Sequence, residues 1–150
     1  MKRIVITIGI LLVIGFIFRP PVDGGRLSSW YGIRASGLHP GSDIAHAEGT
    51  PIRPVAPGVV KQAGNFDDDR GFFVTISHLG VVQSRYYHMN SIATYPGQSV
   101  DHKFVIGTVG NTGLSTGPHL HFEIRVIGIP LPPYLLTIPG RVVNLFVSKE

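Results

Sequence analysis

The chain has no cysteine among its 150 residues. That excludes disulfides, thiolate-ligated zinc and a cysteine nucleophile, so any bound metal must draw on histidine, aspartate or glutamate. Charge is also sparse, with 13 lysines and arginines against 9 aspartates and glutamates. Three of the cations, Lys2, Arg3 and Arg19, flank one apolar segment, and every acidic residue follows Pro20. Beyond Pro20 the balance is ten basic against nine acidic residues, a net +1, and no lysine-arginine cluster stands out. A nucleic-acid partner is therefore not expected. Missing too is any apolar repeat at helical spacing after Gly24 long enough to form an amphipathic helix.

Glycine and proline, by contrast, are abundant, at 19 and 12 residues. They separate short apolar or alternating runs: Gly58 to Ala63, Phe72 to Ser77, Val81 to Tyr87, Phe104 to Val109 and His119 to Val126. Strands at this spacing predict an all-β fold, an antiparallel sheet or sandwich with short strands and long Gly/Pro-rich loops. One hydrophobic helix is expected ahead of it. The run from Ile4 to Phe18 carries no charge and is bounded by Lys2, Arg3 and Arg19. As a helix it would rise about 22 Å against a hydrocarbon core of about 30 Å, so residues 1–22 read as a signal sequence or a short membrane anchor. The rest is expected to be exported: a domain over residues 24–130 and a proline-broken tail over 131–150. It would face the periplasm or cell wall if anchored, and be secreted if the leader is cleaved.

The stretch Gly117 to Arg125, GPHLHFEIR, carries the first chemical signal. Strand side chains alternate, so His119 and His121 share one face and Leu120 and Phe122 the other. A second signal is LHPGSDIAH, with His39 and Asp43 four residues apart around a Pro-Gly that prevents a regular helix. A turn of that kind can aim an imidazole and a carboxylate at one point. Catalytic zinc commonly takes three such ligands and keeps one position for water. Spacing alone leaves His39, His46, His78, His88, His102 and the nine carboxylates open as partners.

Taken with their surroundings, GRLSSWYGIR, LHPGSDIAHAEGTPIRPVAPGVVKQAG, YYHMNSI, GQSV and VIGTVGNTGLSTGPHLHFEIR make the chain resemble the lysostaphin-type zinc metallopeptidases, which cut the peptides of peptidoglycan. The likeness runs from about Gly25 to Arg125, with no motif position substituted. It implies that His39, Asp43 and His121 bind Zn2+ and that His88 and His119 are non-ligand catalytic histidines. The implied partner is a peptidoglycan peptide, with contact to the membrane through the N-terminal segment. Activity is expected to fall below a pH of about 6.5, where imidazoles protonate.

Other features receive plainer readings. His46, His78 and His102 are expected to be bystanders, His78 as a surface residue in a tight turn. The Asp67-Asp68-Asp69 run lacks the alternate spacing of a calcium loop and reads as a solvated turn. Gly113 and Gly117 are expected to adopt backbone shapes closed to other residues. Asn111, Ser115 and Thr116 are hydrogen-bonding candidates in that loop. Trp30, Tyr31, Tyr86 and Tyr87 read as core or groove lining. An alternative function is a non-catalytic member of the same fold that regulates other wall hydrolases. A biotinyl or lipoyl carrier, which VAPGVV and VIGTVG also resemble, would need a lysine in an exposed hairpin turn, and none is present.

Overall fold

The structure, a computed structural model, describes residues 18–65 and 68–133. The expected N-terminal helix, Asp67 and the tail beyond residue 133 lie outside the described residues. Within them the chain forms twelve strands: β1 (Arg26–Ser29), β2 (Gly32–Arg34), β3 (Gly37–His39), β4 (Ser42–Ala45), β5 (Pro51–Ile52), β6 (Gly58–Asn65), β7 (Phe72–His78), β8 (Val82–Ile92), β9 (Ser99–Val100), β10 (Gly107–Val109), β11 (His119–Val126) and β12 (Ile129–Leu131). No described residue is helical, and no described helix is long and apolar enough to cross a membrane. The expected all-β, antiparallel class is what the chain adopts. The expected Phe104 to Val109 strand is shorter, beginning only at Gly107.

One sheet runs in the order β1-β4-β11-β8-β7-β6-β9, with β12 added to β11. The far end of the long β8 carries β10, which in turn pairs with β5. β2 and β3 form a separate hairpin. Every pairing is antiparallel. The core lies against one face of the sheet, where Leu120, Phe122 and Ile124 of β11 meet Tyr86, Ile76, Val74 and Ile52. The period of two in HLHFEIR sorts these residues inward and leaves His119, His121, Glu123 and Arg125 together on the other face.

His78 departs from expectation. It is 2% exposed, not a surface residue, because it ends β7 beneath the edge of the Phe18 ring, 5.8 Å away. Its Nδ1 donates to the Pro57 carbonyl at 2.8 Å, and its Nε2 meets Ser84 Oγ at 2.8 Å. Ser84 continues to the Tyr86 hydroxyl at 2.9 Å, which accepts the Val55 amide proton at 3.0 Å. In the Ser84–Tyr86 bond Ser84 Oγ is the donor. Burial holds the His78 imidazole below its ordinary value, the Pro57 bond opposing only partly. The unfolded chain then binds the proton first, so stability is lost as pH falls through about 6.5, by at most about 1.4 kcal/mol per pH unit. Urea midpoints across that range should show the slope, and His78→Gln should reduce it.

Candidate metal centre

His39 closes β3, Pro40 and Gly41 turn the chain, and Asp43 lies second in β4. This is the expected turn leading into extended structure. β4 runs antiparallel to β11 with Asp43 directly across from His121, while Tyr87 of β8 faces His121 from the other side. Gly41 permits the turn to close on β11. A Cβ there would stand 2.5 Å from the Phe122 carbonyl oxygen and 2.7 Å from His121 Nε2.

Three ligand-type atoms converge. His39 Nε2 is 3.2 Å from Asp43 Oδ1 and 3.1 Å from His121 Nδ1, and His121 Nδ1 is 2.7 Å from Asp43 Oδ1. The outer nitrogens set the tautomers. His39 Nδ1 donates to the Trp30 carbonyl at 2.7 Å, and His121 Nε2 donates to Glu123 Oε1 at 3.3 Å. In neutral rings this turns both lone pairs inward, onto a carboxylate oxygen. Three electron-pair donors facing one point repel one another unless a cation or a proton lies among them. Tetrahedral zinc with bonds of about 2.0–2.1 Å sets its ligand atoms about 3.3 Å apart, close to these spacings. Both the donor types and the distances fit Zn2+.

Burial resists ionisation of Asp43, yet the His121 hydrogen bond and the neighbouring imidazoles outweigh it and hold the carboxyl below its usual range. Burial also resists charge on His121, but its bonds to Asp43 and Glu123 prevail and raise its affinity for a proton. Zinc and a proton therefore compete for His121 Nδ1. Below the raised pKa of His121, zinc affinity should fall about tenfold per pH unit. Competition with a chromophoric chelator across acidic pH would measure it.

Glu123 is missing from the sequence-based expectations. It is 2% exposed, accepts from His121 Nε2, and takes the Arg125 Nε proton at 2.7 Å, with Arg85 Nη1 3.9 Å away. His121, Glu123 and Arg125 fall on alternate positions of one strand, a pattern readable in HLHFEIR once His121 is suspected. Burial opposes its charge, but His121 and Arg125 hold its carboxyl below the ordinary value. It therefore fixes the orientation of His121 as a hydrogen-bonded anion. Glu123→Gln should weaken zinc binding about 10- to 100-fold, read by the same chelator titration at constant pH. Arg34 was also not foreseen: its guanidinium contacts Ser29 Oγ and the His39 ring and lies 3.9 Å from Asp43 Oδ2.

The two remaining expected site residues adjoin this cluster. His119 shares the face of His121, with Nε2 3.9 Å from Asp43 Oδ1. His88 packs 4.8 Å from the His119 ring and 6.0 Å from that of His121, centroid to centroid. It stands in the middle of β8. Its φ is +61°, a left-handed conformation rare outside glycine. That break in alternation puts His88 beside the site directly after Tyr87, which stacks on His121 at 5.3 Å and 9°. Both non-ligand imidazoles give Nδ1–H to a backbone carbonyl, His88 to Thr112 and His119 to Gly117, each at 2.8 Å. Each Nε2 is left as a lone-pair nitrogen. Burial, aided by the neighbouring imidazoles against the Thr112 bond, lowers the His88 pKa to about 4. An acid limb of activity near 6.5 therefore cannot arise from His88.

The loop from Gly110 to Pro118 holds these carbonyls in place. Thr112, not singled out beforehand, also accepts the Phe72 amide proton on its Oγ1 and donates to the Met89 carbonyl. Ser115 Oγ reaches Asn111 Oδ1 at 2.6 Å and His119 Nδ1 at 3.1 Å. Gly113 takes the expected positive φ of +71°, with a virtual Cβ 2.4 Å from Gly71 N. Gly117 needs no such freedom: its φ is not left-handed and nothing lies within 4 Å of its virtual Cβ. Of the aromatics, Tyr86 is core and Tyr87 belongs to the site. His46 braces its own turn through Thr50 Oγ1 and reaches the Asp23 carbonyl, 23 residues earlier.

Residues 37–133 match the family described as Peptidase family M23. The chain is 36% identical over 148 residues to peptidoglycan DD-endopeptidase ShyA of Vibrio cholerae, an alignment covering 88% of this chain and 34% of that protein. It spans about a third of the length of the curated relatives it matches. A zinc-containing peptidase from Vibrio cholerae superposes with a TM-score of 0.74 at 28% identity, over 82% of this chain and 40% of that one. The catalytic domain of lysostaphin from Staphylococcus simulans gives 0.64 at 28% identity, over 76% of this chain and 92% of that domain.

Proposed function

Because the chain belongs to peptidase family M23, we propose that it is a zinc-dependent endopeptidase hydrolysing the peptide cross-links of bacterial peptidoglycan. The observation that carries this reading is the gathering of His39, Asp43 and His121 on one point, with His88 and His119 alongside. In it His39, Asp43 and His121 hold the metal. Bound zinc would supply Lewis acidity, polarising a peptide carbonyl and acidifying water.

The chain's own groups do the rest. His119 Nε2 accepts the proton of the attacking water, and the Asp43 carboxylate 3.9 Å away stabilises the positive charge it acquires. His119 then returns that proton to the leaving amine. His88 stays neutral near physiological pH, and its Nε2 orients water or a substrate N–H as an acceptor. Tyr87 and Glu123 keep His121 in register. Export, with residues 1–22 as a leader or membrane anchor, would bring the site to the wall.

The test is digestion of purified walls of different cross-bridge chemistry by the zinc-loaded chain, followed by mass analysis of the fragments. The name of ShyA makes a bond between D-amino acids the first substrate to try. New amines from one cross-bridge class, lost on chelation and restored by zinc, would support the proposal. Walls left uncut by zinc-loaded chain would favour the non-catalytic regulator.

A further inference from the structure

The end of the sheet opposite the metal centre carries two features that the peptidase reading does not use. The register defines that end: β7 finishes at His78, β8 begins at Val82 and β11 finishes at Val126. His121 precedes Val126 by five strand residues, about 17 Å. The turns leaving β7 and β11 lie side by side there, joined by a hydrogen bond from Ile127 N to the Val81 carbonyl at 2.9 Å. Between them they expose Leu79 at 88%, Val81 at 54%, Ile127 at 78% and Ile129 at 64%.

Leu79 and Ile127 both have φ of +51°, and each precedes a glycine with positive φ. Such turns normally take asparagine, aspartate or glycine, and a β-branched residue at positive φ is an outlier. Four solvent-facing aliphatic side chains, two on left-handed backbone, therefore run against both solubility and local preference. That combination points to an interaction surface.

The second feature is cationic. A cavity of about 450 Å³ is lined by Arg19, Arg53, Lys103, His102 and Asp23, with prolines between. Arg53 Nη1 donates to the Lys103 carbonyl at 2.6 Å. Among the described residues, Arg19, Arg53 and Lys103 form no ion pair. The cavity belongs to the same end. Lys103 follows β9, whose Val100 pairs with Gly58, and Gly58 abuts His78. Arg19 N donates to the Val55 carbonyl at 2.7 Å, and Phe18 covers His78, the residue before Leu79. Phe18, the last residue of the uncharged run in the sequence, thus packs on the domain beside both features.

We propose that this end is a docking surface for an anionic phospholipid bilayer. Arg19, Arg53 and Lys103 take headgroup phosphates, while Leu79, Val81, Ile127 and Ile129 enter the interface. The occupant is set by the pairing of cations with aliphatic tips near Phe18, the residue that closes an uncharged 15-residue run in the sequence. Docked this way, the domain turns His39, Asp43, His88, His119 and His121 away from the membrane. The proposal rests on the reading of residues 1–22 as an anchor.

The lack of native cysteine allows single-site labelling of the full chain. An environment-sensitive fluorophore would be placed at Leu79→Cys or, near the metal centre, at Leu114→Cys, which is 74% exposed. Each labelled chain would be reconstituted with vesicles of phosphatidylcholine alone or with added phosphatidylglycerol, carrying doxyl-lipid quencher. The label at 79 should be quenched several-fold more than that at 114, and only on anionic vesicles. Arg53→Gln with Lys103→Gln should lower the docking equilibrium constant about 25-fold, at about fivefold per cation. Circular dichroism would check that the double variant is folded, and added salt on the unsubstituted chain should act in the same direction. Equal quenching at both labels, or quenching indifferent to lipid charge, salt and the double substitution, would overturn the proposal. A chain that fails to float with either vesicle would overturn the anchor reading and this one together; flotation without selective quenching would overturn this one alone. Neither result bears on wall digestion.

Discussion

Replacing Asp43 by alanine is expected to abolish zinc retention and hydrolysis together. Its Oδ1 is the one atom in contact with both inward imidazole nitrogens, at 3.2 Å and 2.7 Å. It also supplies the negative charge that two neutral imidazoles lack, in a place where burial makes an uncompensated cation costly. Loss of a partner that merely orients a ligand weakens zinc about 10- to 100-fold, and loss of the ligand itself should exceed that. Asp43→Asn separates charge from shape, since the amide keeps the volume and an oxygen but carries no net charge. Zinc content after dialysis, and product release from walls, should both fall to background in Asp43→Ala. Measurable cutting by a zinc-free Asp43→Ala chain would remove this cluster from the chemistry.

The second large effect concerns the imidazoles beside the cluster. His119→Ala and His88→Ala should each retain zinc and lose about 10²- to 10⁴-fold in kcat. The pairing of intact metal with lost turnover distinguishes them from the ligand variants. Neither side chain holds a strand together: each Nδ1 bonds a loop carbonyl, of Gly117 or Thr112. Because burial keeps His88 neutral down to about 4, its removal should leave the acid limb of the profile in place. A loss of kcat below about tenfold in either variant would remove that imidazole from the chemistry.

Much of the site was legible because it sits on simple periodicities. Two residues apart on a strand means one shared face, so His119 and His121 had to point together. Proline and glycine between His39 and Asp43 dictated a turn. The limits of local reading appear at His78 and Glu123. A histidine before Leu-Gly looks like part of a surface turn, and it is buried by segments distant in the chain: Phe18 from 60 positions away, and Pro57 and Gly58 from about 20. Glu123 looks like the solvent-facing member of an amphipathic strand until Arg85 and Tyr87 of β8 pack beside it.

The amino-acid order alone determined the β class, the exclusion of thiol chemistry and the inventory of possible ligands, since these follow from composition and from a repeat of two. Tertiary structure decided the rest. Asp43 and His121 lie 78 residues apart in the chain, and their meeting depends on β4 choosing one register against β11. A slip of one residue would send the carboxylate to the opposite face. The turn of His88 out of strand alternation likewise depends on a left-handed φ imposed where the Arg70 carbonyl accepts its amide proton and the Thr112 carbonyl its side-chain proton. Register and strained backbone are set by packing between distant segments, so neither is written in any local stretch.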